Sequence, residues 1–283
     1  MKFIRTVFFL TFIFFVTCPI IVFSDTIGIV SPTMKKGNVN VGFEVSSITK
    51  NFDLKNDFEI DMNRFLLKCE YALNNWSSVY VKVGMNDVSS QNYFIDASSS
   101  DIETNFGFTT AVGYKRKIYE KNNVVFGITF QMMSYAMDGD DITPDMYYNP
   151  TKDRYYGFGV NNMDIDGTEI ELCIGGTTKP YENLDLYGGL LLSVNTLNIS
   201  YEFQAEKYED VRDHVITEDV YNQYLSFVNF TNYTKKIEGN TTNNDYIGLV
   251  LGGRITLLGN FEGGLEARLI NEKSFALYGS YIF

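Results

Sequence analysis

The nine residues that end the chain, 275–283, alternate in character with a period of two. Successive side chains of an extended strand point to opposite faces, so the odd-numbered and even-numbered residues separate. The odd-numbered face carries Phe275, Leu277, Gly279, Tyr281 and Phe283. The even-numbered face carries Ala276, Tyr278, Ser280 and Ile282. A strand with an aromatic residue at its end is predicted to present its odd-numbered face to apolar surroundings.

Bacterial outer-membrane β-barrel proteins end in a strand of this kind, and the chain resembles that class at this motif. The resemblance implies an all-β fold, a transmembrane antiparallel up-and-down β-barrel in the outer membrane of a Gram-negative bacterium. It also implies that the barrel-assembly machinery recognises residues 275–283, with Phe283 as the terminal residue of the signal. The motif therefore predicts an architecture and a location more strongly than a function.

The amino terminus carries the features of an export signal. Two basic residues precede an apolar run over residues 7–23, and a small-residue cleavage signal ends at residue 24. This pattern predicts a secretory signal peptide over residues 1–24, cleaved to leave a barrel domain over 25–283. A transmembrane anchor and a lipoprotein modified at Cys18 are the weaker alternatives.

The composition suits a membrane barrel and argues against some partners. The mean hydropathy is −0.10, as expected when lipid-facing and interior residues alternate and cancel. The 23 Phe and 20 Tyr residues would supply aromatic girdles at the two membrane interfaces. The net charge of −12 argues against nucleic acid as a partner and predicts solvated acidic loops. Cys69 is predicted to face lipid and Cys173 the interior, so a disulfide between them is not expected.

Ten segments alternate apolar and polar residues, and turn residues separate them. The pattern predicts strands over about 38–48, 60–73, 77–86, 104–118, 124–137, 165–178, 184–201, 246–257, 261–270 and 275–283.

The connections between these segments alternate in length, as in outer-membrane barrels. Short turns follow the second, fourth, sixth and eighth strands. Long loops are predicted over 87–103, 138–164 and 202–245, on the outer side. In the last of these, aromatic residues recur every three positions between Tyr221 and Tyr233. This spacing is compatible with a short helix, an irregular loop or a protruding hairpin. An even strand count places both chain ends in the periplasm.

Charged residues recur on the predicted interior face of the barrel. They form a predicted charge network of Arg64, Lys68, Glu70, Lys82, Lys115, Glu169, Glu171, Arg254, Glu262, Glu266 and Arg268. Opposite charges on neighbouring strands pair, for example Glu70 with Lys82 and Arg254 with Glu262 and Glu266. Because a ten-stranded barrel is only slightly wider than one that its side chains fill, a closed interior is favoured over an open pore. Interior glycine residues keep a narrow channel as an alternative.

The chain is similar in length and strand count to the omptins, which are ten-stranded outer-membrane proteases. Omptins use two acidic residues facing an Asp/His pair to activate water. The corresponding candidates here are Asp213 and His214, with Asp138 and Asp140 as the facing acids. The omptin pair is separated by one residue, whereas Asp213 and His214 are adjacent and would point to opposite faces of an extended segment. The catalytic motif is not matched, and we expect no enzymatic activity.

A short acidic segment is the remaining candidate site. Asp138, Asp140, Asp141 and Asp145 offer hard carboxylate ligands for calcium or magnesium. Their spacing is not that of an EF-hand loop, so a solvated acidic loop is the favoured interpretation. The sequence indicates no cofactor.

Together these features predict an outer-membrane barrel with a structural or surface-interaction role. Its acidic and aromatic outer loops would meet lipopolysaccharide, cations or an extracellular ligand, and its other partners would be outer-membrane lipids and the assembly machinery. A narrow porin-like channel for small solutes is the first alternative, and an omptin-like protease is the second.

Overall fold

The computed structural model describes part of the chain. The described residues are 28, 34–53, 57–95, 98–142, 146–149, 154–157, 159–204, 234–242, 246–257, 259–270 and 272–283. Within these ranges no helix is both long and apolar enough to cross a lipid bilayer. The predicted signal peptide, residues 1–24, lies outside the described residues.

Ten strands form a closed antiparallel barrel. The strands of the described residues are β1 (Val39–Asp53), β2 (Asp57–Asn74), β3 (Ser77–Ile95), β4 (Ser98–Glu103), β5 (Gly107–Lys121), β6 (Val124–Ile142), β7 (Met146–Asn149), β8 (Arg154–Gly157), β9 (Gly159–Tyr181), β10 (Leu184–Gln204), β11 (Thr234–Thr242), β12 (Ile247–Leu257), β13 (Phe261–Leu269) and β14 (Lys273–Ile282). The ring runs β1, β2, β3, β5, β6, β9, β10, β12, β13, β14 and back to β1. These ten strands are the ten predicted from the sequence, and the predicted fold class is confirmed.

The last strand closes the ring against the first. Asn40 lies opposite Ile282 and Thr49 opposite Lys273, so the two strands pair over their shared length. The Phe283 amide donates to the Val39 carbonyl over 2.8 Å. Closure leaves none of the ten strands with an unpaired edge, as backbone placed in lipid requires.

The two ends of the barrel differ. At one end, which we call the turn end, tight turns follow β2, β5, β9 and β12, and Phe283 ends the chain there. Two of these turns use left-handed backbone, at Asn122 (φ 55°) and Gly259 (φ 83°). Asparagine and glycine are the residues that adopt this conformation most readily, which explains the sequence signals at these turns.

At the opposite end, which we call the hairpin end, several strands extend beyond the ring. Residues predicted as loops are partly strand: β3 continues to Ile95 and pairs with β4, and β10 continues to Gln204 and pairs with β11. β7 and β8 form a separate two-stranded hairpin. The predicted loops 87–103 and 138–164 are wrong to this extent, whereas in 202–245 the pairing of β10 with β11 agrees with the protruding hairpin that the sequence left open. Water meets both faces of a protruding hairpin, so its residues need no apolar alternation and give no sequence signal.

Burial in the ring is reversed relative to a soluble protein. Large apolar side chains lie on the outside, among them Leu67 (53% exposed), Phe108 (62%) and Leu251 (54%). Charged side chains lie inside, among them Arg64 (2%) and Arg268 (0%). Free Cys69 is exposed on the outer surface and free Cys173 is buried inside. A barrel with an apolar exterior and a polar interior has the surface of a membrane-spanning barrel.

The interior near the hairpin end is apolar, which the sequence analysis did not anticipate. Buried side chains from β1, β2, β3, β5, β6, β9 and β10 form one contiguous cluster, which we call the apolar plug. It comprises Ile48, Phe52, Ile60, Met62, Leu66, Val88, Ala111, Met133, Tyr135, Met137, Ile165 and Leu197. These seven strands form a continuous arc of the ring, so the apolar plug extends around most of the bore.

Candidate functional site: the interior charge network

The eleven predicted interior residues all lie on the inner face of the barrel. Ten of them are buried, with exposures between 0% and 8%, and the Lys68 side chain is 17% exposed. Four further charged residues join them: Glu44, Lys50, Asp185 and Glu272. These fifteen residues form three groups, described in turn from the hairpin end to the turn end.

The first group crosses the bore at the level of the apolar plug. Lys50 pairs with Glu169 and, over 3.0 Å, with Glu272. Arg64 also reaches Glu169, over 3.1 Å. Lys50 lies between Ile48 and Phe52 on the inner face of β1, so the ion pair is enclosed by apolar side chains.

The positions of β1 and β9 in the ring make this contact informative. Five steps lead from β1 to β9 through β2, β3, β5 and β6, and five lead back through β10, β12, β13 and β14. The two strands therefore stand on opposite walls. An ion pair between Lys50 of β1 and Glu169 of β9 spans the diameter, so side chains fill the bore here.

Arg268 of β13 extends the first group. Its guanidinium pairs with Glu171, with Glu266 over 3.1 Å and with Glu272 over 3.0 Å. Glu272 follows β13 in the connection to β14 and is 2% exposed, so this connection sends a carboxylate into the bore. One arginine surrounded by several carboxylates is a well-matched arrangement, because guanidinium presents five donors.

The second group surrounds the Tyr80 ring. The ammonium groups of Lys68, Lys82 and Lys115 lie 4.9, 5.5 and 5.5 Å from the ring centre, within the range of cation–π attraction. Their carboxylate partners are Glu44, 2.9 Å from Lys82, and Glu70, 2.8 Å from Lys68 and 3.6 Å from Lys115. Lys82 thus pairs with Glu44, two strands away. Glu70, the partner that the sequence suggests for it, lies opposite Tyr80.

The third group is centred on Arg254 near the turn end. Arg254 binds Asp185 of β10 over 2.5 Å and Glu262 of β13 over 2.7 Å. Glu266, the other partner expected for Arg254, pairs with Arg268 and accepts a 3.0 Å hydrogen bond from Tyr187. Arg254 therefore joins the two strands on either side of β12.

Hydrogen bonds link the second group to the first. Tyr80 donates to Gln131 over 3.0 Å, and Gln131 donates to Glu171 over 3.0 Å. The backbone amide of Gly28 donates to Glu266 over 2.8 Å, so a residue that precedes β1 also lies inside the bore. Seven cations in the three groups face eight carboxylates: Lys50, Arg64, Lys68, Lys82, Lys115, Arg254 and Arg268 against Glu44, Glu70, Glu169, Glu171, Asp185, Glu262, Glu266 and Glu272. The interior is close to electrically neutral, as a packed ionic core requires.

Interior tyrosines pack over glycines of the adjacent strand. Each ring occupies the space in which a side chain on the facing glycine would stand, and a Cβ there would lie 2.0–2.4 Å from the ring atoms. The four directly opposed pairs are Tyr80 with Gly113, Tyr135 with Gly167, Tyr187 with Gly252, and Tyr278 with Gly264. Interior glycines at these positions thus make room for rings instead of opening a channel.

A cavity of about 40 Å³ lies near the turn end, between the second and third groups, with Glu70, Lys115, Arg254 and Tyr278 in its wall. At about 10–15 Å³ per water, it holds a few water molecules at most.

Three carboxylates, those of Glu169, Glu171 and Glu272, approach within 4.8 Å of one another. Such a set resembles a divalent-cation site in its donor atoms. Lys50, Arg64 and Arg268 already occupy these carboxylates, so the geometry is that of an ion-pair cluster.

Of the remaining candidate residues, Asp138 is the one whose side chain the structure describes. Asp138 is exposed on the outside of β6, opposite Asp164, and the backbones of Asp140 and Asp141 continue that strand. Asp145, Asp213 and His214 lie outside the described residues. The proposed cation site and the omptin-like site therefore stay predictions.

Sequence analysis missed four charged residues for identifiable reasons. Lys50 follows the predicted end of the first strand, and Glu272 lies between the last two predicted strands. Glu44 and Asp185 fall on inward positions of predicted strands, at which alternation alone could have found them. In the apolar plug, Leu66 lies between outward Phe65 and Leu67, so the run reads as continuously apolar.

Comparisons with known proteins give similarity of fold only. No family model matches the chain, and no curated protein matches it. Its solved structural neighbours are outer-membrane barrels. They include the outer membrane protease OmpT from Escherichia coli (9% identity, TM-score 0.46, covering 89% of this chain and 98% of that one). They also include the translocator domain of the autotransporter NalP from Neisseria meningitidis (8% identity, TM-score 0.47, covering 89% of this chain and 89% of that one). A third is an outer membrane channel from Pseudomonas putida F1 (10% identity, TM-score 0.42, covering 92% of this chain and 100% of that one).

Proposed function

We propose that the chain is an outer-membrane barrel with a closed interior, and that it acts as a non-enzymatic structural or surface-interaction protein. The observation that carries the proposal is the Lys50–Glu169 ion pair, which joins opposite walls of the ring inside the apolar plug. A solute would have to displace both the ion pairs and the apolar side chains to pass.

The membrane location is supported by the outer surface of the ring. Apolar residues face outward on all ten strands, with aromatic side chains near the turn end such as Tyr71, Trp76, Phe126 and Tyr281. Exposing this much apolar surface to water would be costly, whereas lipid accepts it. In this placement the turn end faces the periplasm and the hairpin end faces the outside. Cleavage after residue 24 and recognition of residues 275–283 by the assembly machinery belong to the same proposal.

The surface role is supported by the charge of the hairpin end. The described exposed and half-exposed charged residues there are mainly acidic: Glu59, Asp61, Asp87, Asp138, Asp164 and Asp166, against Lys273. An acidic outer rim favours cations and basic partners. Contact with anionic lipopolysaccharide would pass through bridging divalent cations.

The two alternatives need features that the described residues do not supply. A channel needs a continuous aqueous path, and charge pairs and apolar side chains occupy the bore. A protease of the omptin kind needs a positioned acid–histidine constellation at the outer rim, and the candidates Asp213 and His214 lie outside the described residues.

Solute flux into proteoliposomes tests the proposal. Liposomes containing the folded barrel should swell no faster in arabinose than protein-free liposomes, while a general porin in parallel liposomes should admit the sugar. Rapid swelling that scales with the amount of barrel would overturn the closed interior.

A further inference from the structure

A group of unpaired cations marks one sector of the turn end. Arg116, Lys121 and Lys179, which we call the basic rim, are exposed, and no carboxylate of the described residues forms an ion pair with them. Lys35 and Lys36 are exposed nearby and share this property. The neighbouring Lys117 differs, since Glu120 neutralises it over 2.8 Å. The protein as a whole is acidic, with a net charge of −12, so a group of exposed cations without carboxylate partners is unexpected.

The basic rim lies at the border of the lipid-facing surface. Arg116 is on the outer face of β5, two residues beyond Tyr114, and it lies opposite Ile128 on β6. Ile118 (58% exposed) and Tyr119 (50%) continue the apolar surface past it towards the turn end. In the membrane location proposed above, a guanidinium with exposed apolar residues on both sides reaches the headgroup region by extending its side chain along them.

The other two cations flank the start of β6. Val124 lies opposite Lys121 on one side and opposite Thr178, the residue before Lys179, on the other. Exposed aromatic rings of Phe126 and Tyr181 are close in sequence to these positions, as in an interfacial belt. The three cations are therefore spread along a membrane border and do not converge on a pocket.

The charge of the barrel is polarised along its axis. The exposed described charges of the hairpin end are mostly acidic, whereas those of the turn end are mostly basic. At the turn end the exposed cations Lys35, Lys36, Arg116, Lys121 and Lys179 outnumber the exposed carboxylates of Glu120 and Glu182. A polarity of this kind matches a membrane whose anionic headgroups border the turn end.

We propose that the basic rim binds the headgroup phosphates of anionic phospholipids in the leaflet that borders the turn end. The inference rests on the membrane location given under the proposed function. Arg116 can engage a phosphate with two parallel hydrogen bonds, and Lys121 and Lys179 add point charges on either side of β6. The acyl chains of the same lipids lie against the apolar outer face of β5 and β6, which a free phosphate ion would not use.

The chain contains its own reporter for this site. Trp76 is the single tryptophan, it is 50% exposed, and its carbonyl accepts a 2.7 Å hydrogen bond from the amide of Lys117, next to Arg116. Lipids with brominated acyl chains quench tryptophan fluorescence on contact. Quenching of Trp76 by brominated phosphatidylglycerol, relative to brominated phosphatidylcholine at the same mole fraction, therefore measures lipid preference at the basic rim.

We expect a relative binding constant of about fivefold in favour of phosphatidylglycerol, the ratio that one basic side chain at an anionic surface supplies. The triple variant Arg116→Gln, Lys121→Gln, Lys179→Gln should lower this ratio to near unity. The charge-retaining triple variant Arg116→Lys, Lys121→Arg, Lys179→Arg should keep most of it. Lys273→Gln, which removes an exposed cation at the hairpin end, is the matched control and should leave the ratio unchanged.

Several results would overturn the proposal. Equal quenching by the two lipids in the wild-type protein would do so, as would a ratio that survives in the folded glutamine variant. Loss of the ratio on adding inorganic phosphate alone would assign the basic rim to a free anion. If the two lipids bind equally and polyglutamate binds saturably, the basic rim would instead be assigned to an acidic protein partner.

The same measurement separates this inference from the proposed function. If neither brominated lipid quenches Trp76, the membrane location itself is wrong, and the inference falls with it. If phosphatidylglycerol is preferred but proteoliposomes admit sugar, the basic rim stands and only the closed interior is wrong.

Discussion

Lys50 and Glu169 form an ion pair although their strands, β1 and β9, stand on opposite walls of the barrel. Both side chains are 1% exposed, and apolar residues of the plug surround them. Charges enclosed in this way are tolerated only when each has a partner, because an isolated buried charge carries a large desolvation penalty. The contact thus explains how side chains cross the bore and why the charges inside it nearly balance.

Removing the carboxylate at the centre of this contact should destabilise the barrel. Glu169→Gln leaves Lys50 and Arg64 with one carboxylate fewer, and we expect a loss of about 3–5 kcal/mol, as for other broken buried pairs. Urea unfolding of the barrel in phosphatidylcholine bilayers, followed by the fluorescence of Trp76, measures the change. Asp166→Asn, on the outer face of the same strand, is the control and should change the stability by less than about 0.5 kcal/mol.

The double variant Lys50→Met, Glu169→Leu should be more stable than Glu169→Gln alone. It removes the Lys50 ammonium together with the carboxylate, so Arg64 is the one cation that loses Glu169, whereas Glu169→Gln takes this carboxylate from both Lys50 and Arg64. A double variant that is as unstable as the sum of its single changes would show that the two residues do not act as a pair.

Gly113 should not tolerate a side chain. Its Cβ would lie 2.1 Å from Cζ of Tyr80, so Gly113→Ala must displace the ring around which three ammonium groups gather. We expect a loss of about 1–3 kcal/mol from this overpacking, measured by the same unfolding assay. The control is Gly253→Ala on the outer face, at which the nearest atom would lie 3.5 Å away. Equal tolerance at the two positions would contradict the packing of Tyr80 over Gly113.

The buried thiol of Cys173 should be inaccessible to water-soluble reagents. In a Cys69→Ser variant, Cys173 is the remaining cysteine of the predicted mature chain, and it is 0% exposed inside the bore. A cationic methanethiosulfonate should fail to modify it in folded barrels and modify it fully after unfolding, as mass spectrometry would show. Asn123→Cys in the exposed turn after β5, made in a Cys69→Ser, Cys173→Ser background, is the positive control. Rapid modification of folded Cys173 would indicate a water-filled bore.

The ring of ten strands could be predicted because lipid imposes a simple rule on each of them. One face must be apolar, so segments such as 77–86 and 261–270 alternate, and glycine or asparagine marks the turns between segments. The parts of β3, β4, β10 and β11 that extend beyond the ring need not obey this rule, because they lie outside the span that must face lipid. Their extent depends on backbone pairing, which leaves no clear pattern in the sequence.

The interior was predictable in kind but not in its pairings. Alternation places Glu169 and Arg268 inside, yet it cannot show that Glu169 meets Lys50 across the bore, because that contact depends on how the ring closes. Pairing charges on neighbouring strands correctly predicts the ion pair of Arg254 with Glu262. It cannot predict the ion pair of Lys82 with Glu44, because their strands are two apart in the ring. The apolar plug was not predicted for a related reason. Where an inward residue is apolar like its outward neighbours, the sequence no longer alternates between apolar and polar residues, so the inward face cannot be recognised.

Single-channel recording in planar bilayers tests the closed interior most directly. The wild-type barrel, inserted in a lipid bilayer in potassium chloride, should show no steady open current at moderate voltage. A variant with Lys50, Phe52, Met62 and Met133 each changed to Ala removes large side chains from the region where the Lys50–Glu169 ion pair crosses the bore. If this variant folds, it should conduct, which shows that the recording detects inserted barrels. A steady open current from the wild-type barrel would contradict the account.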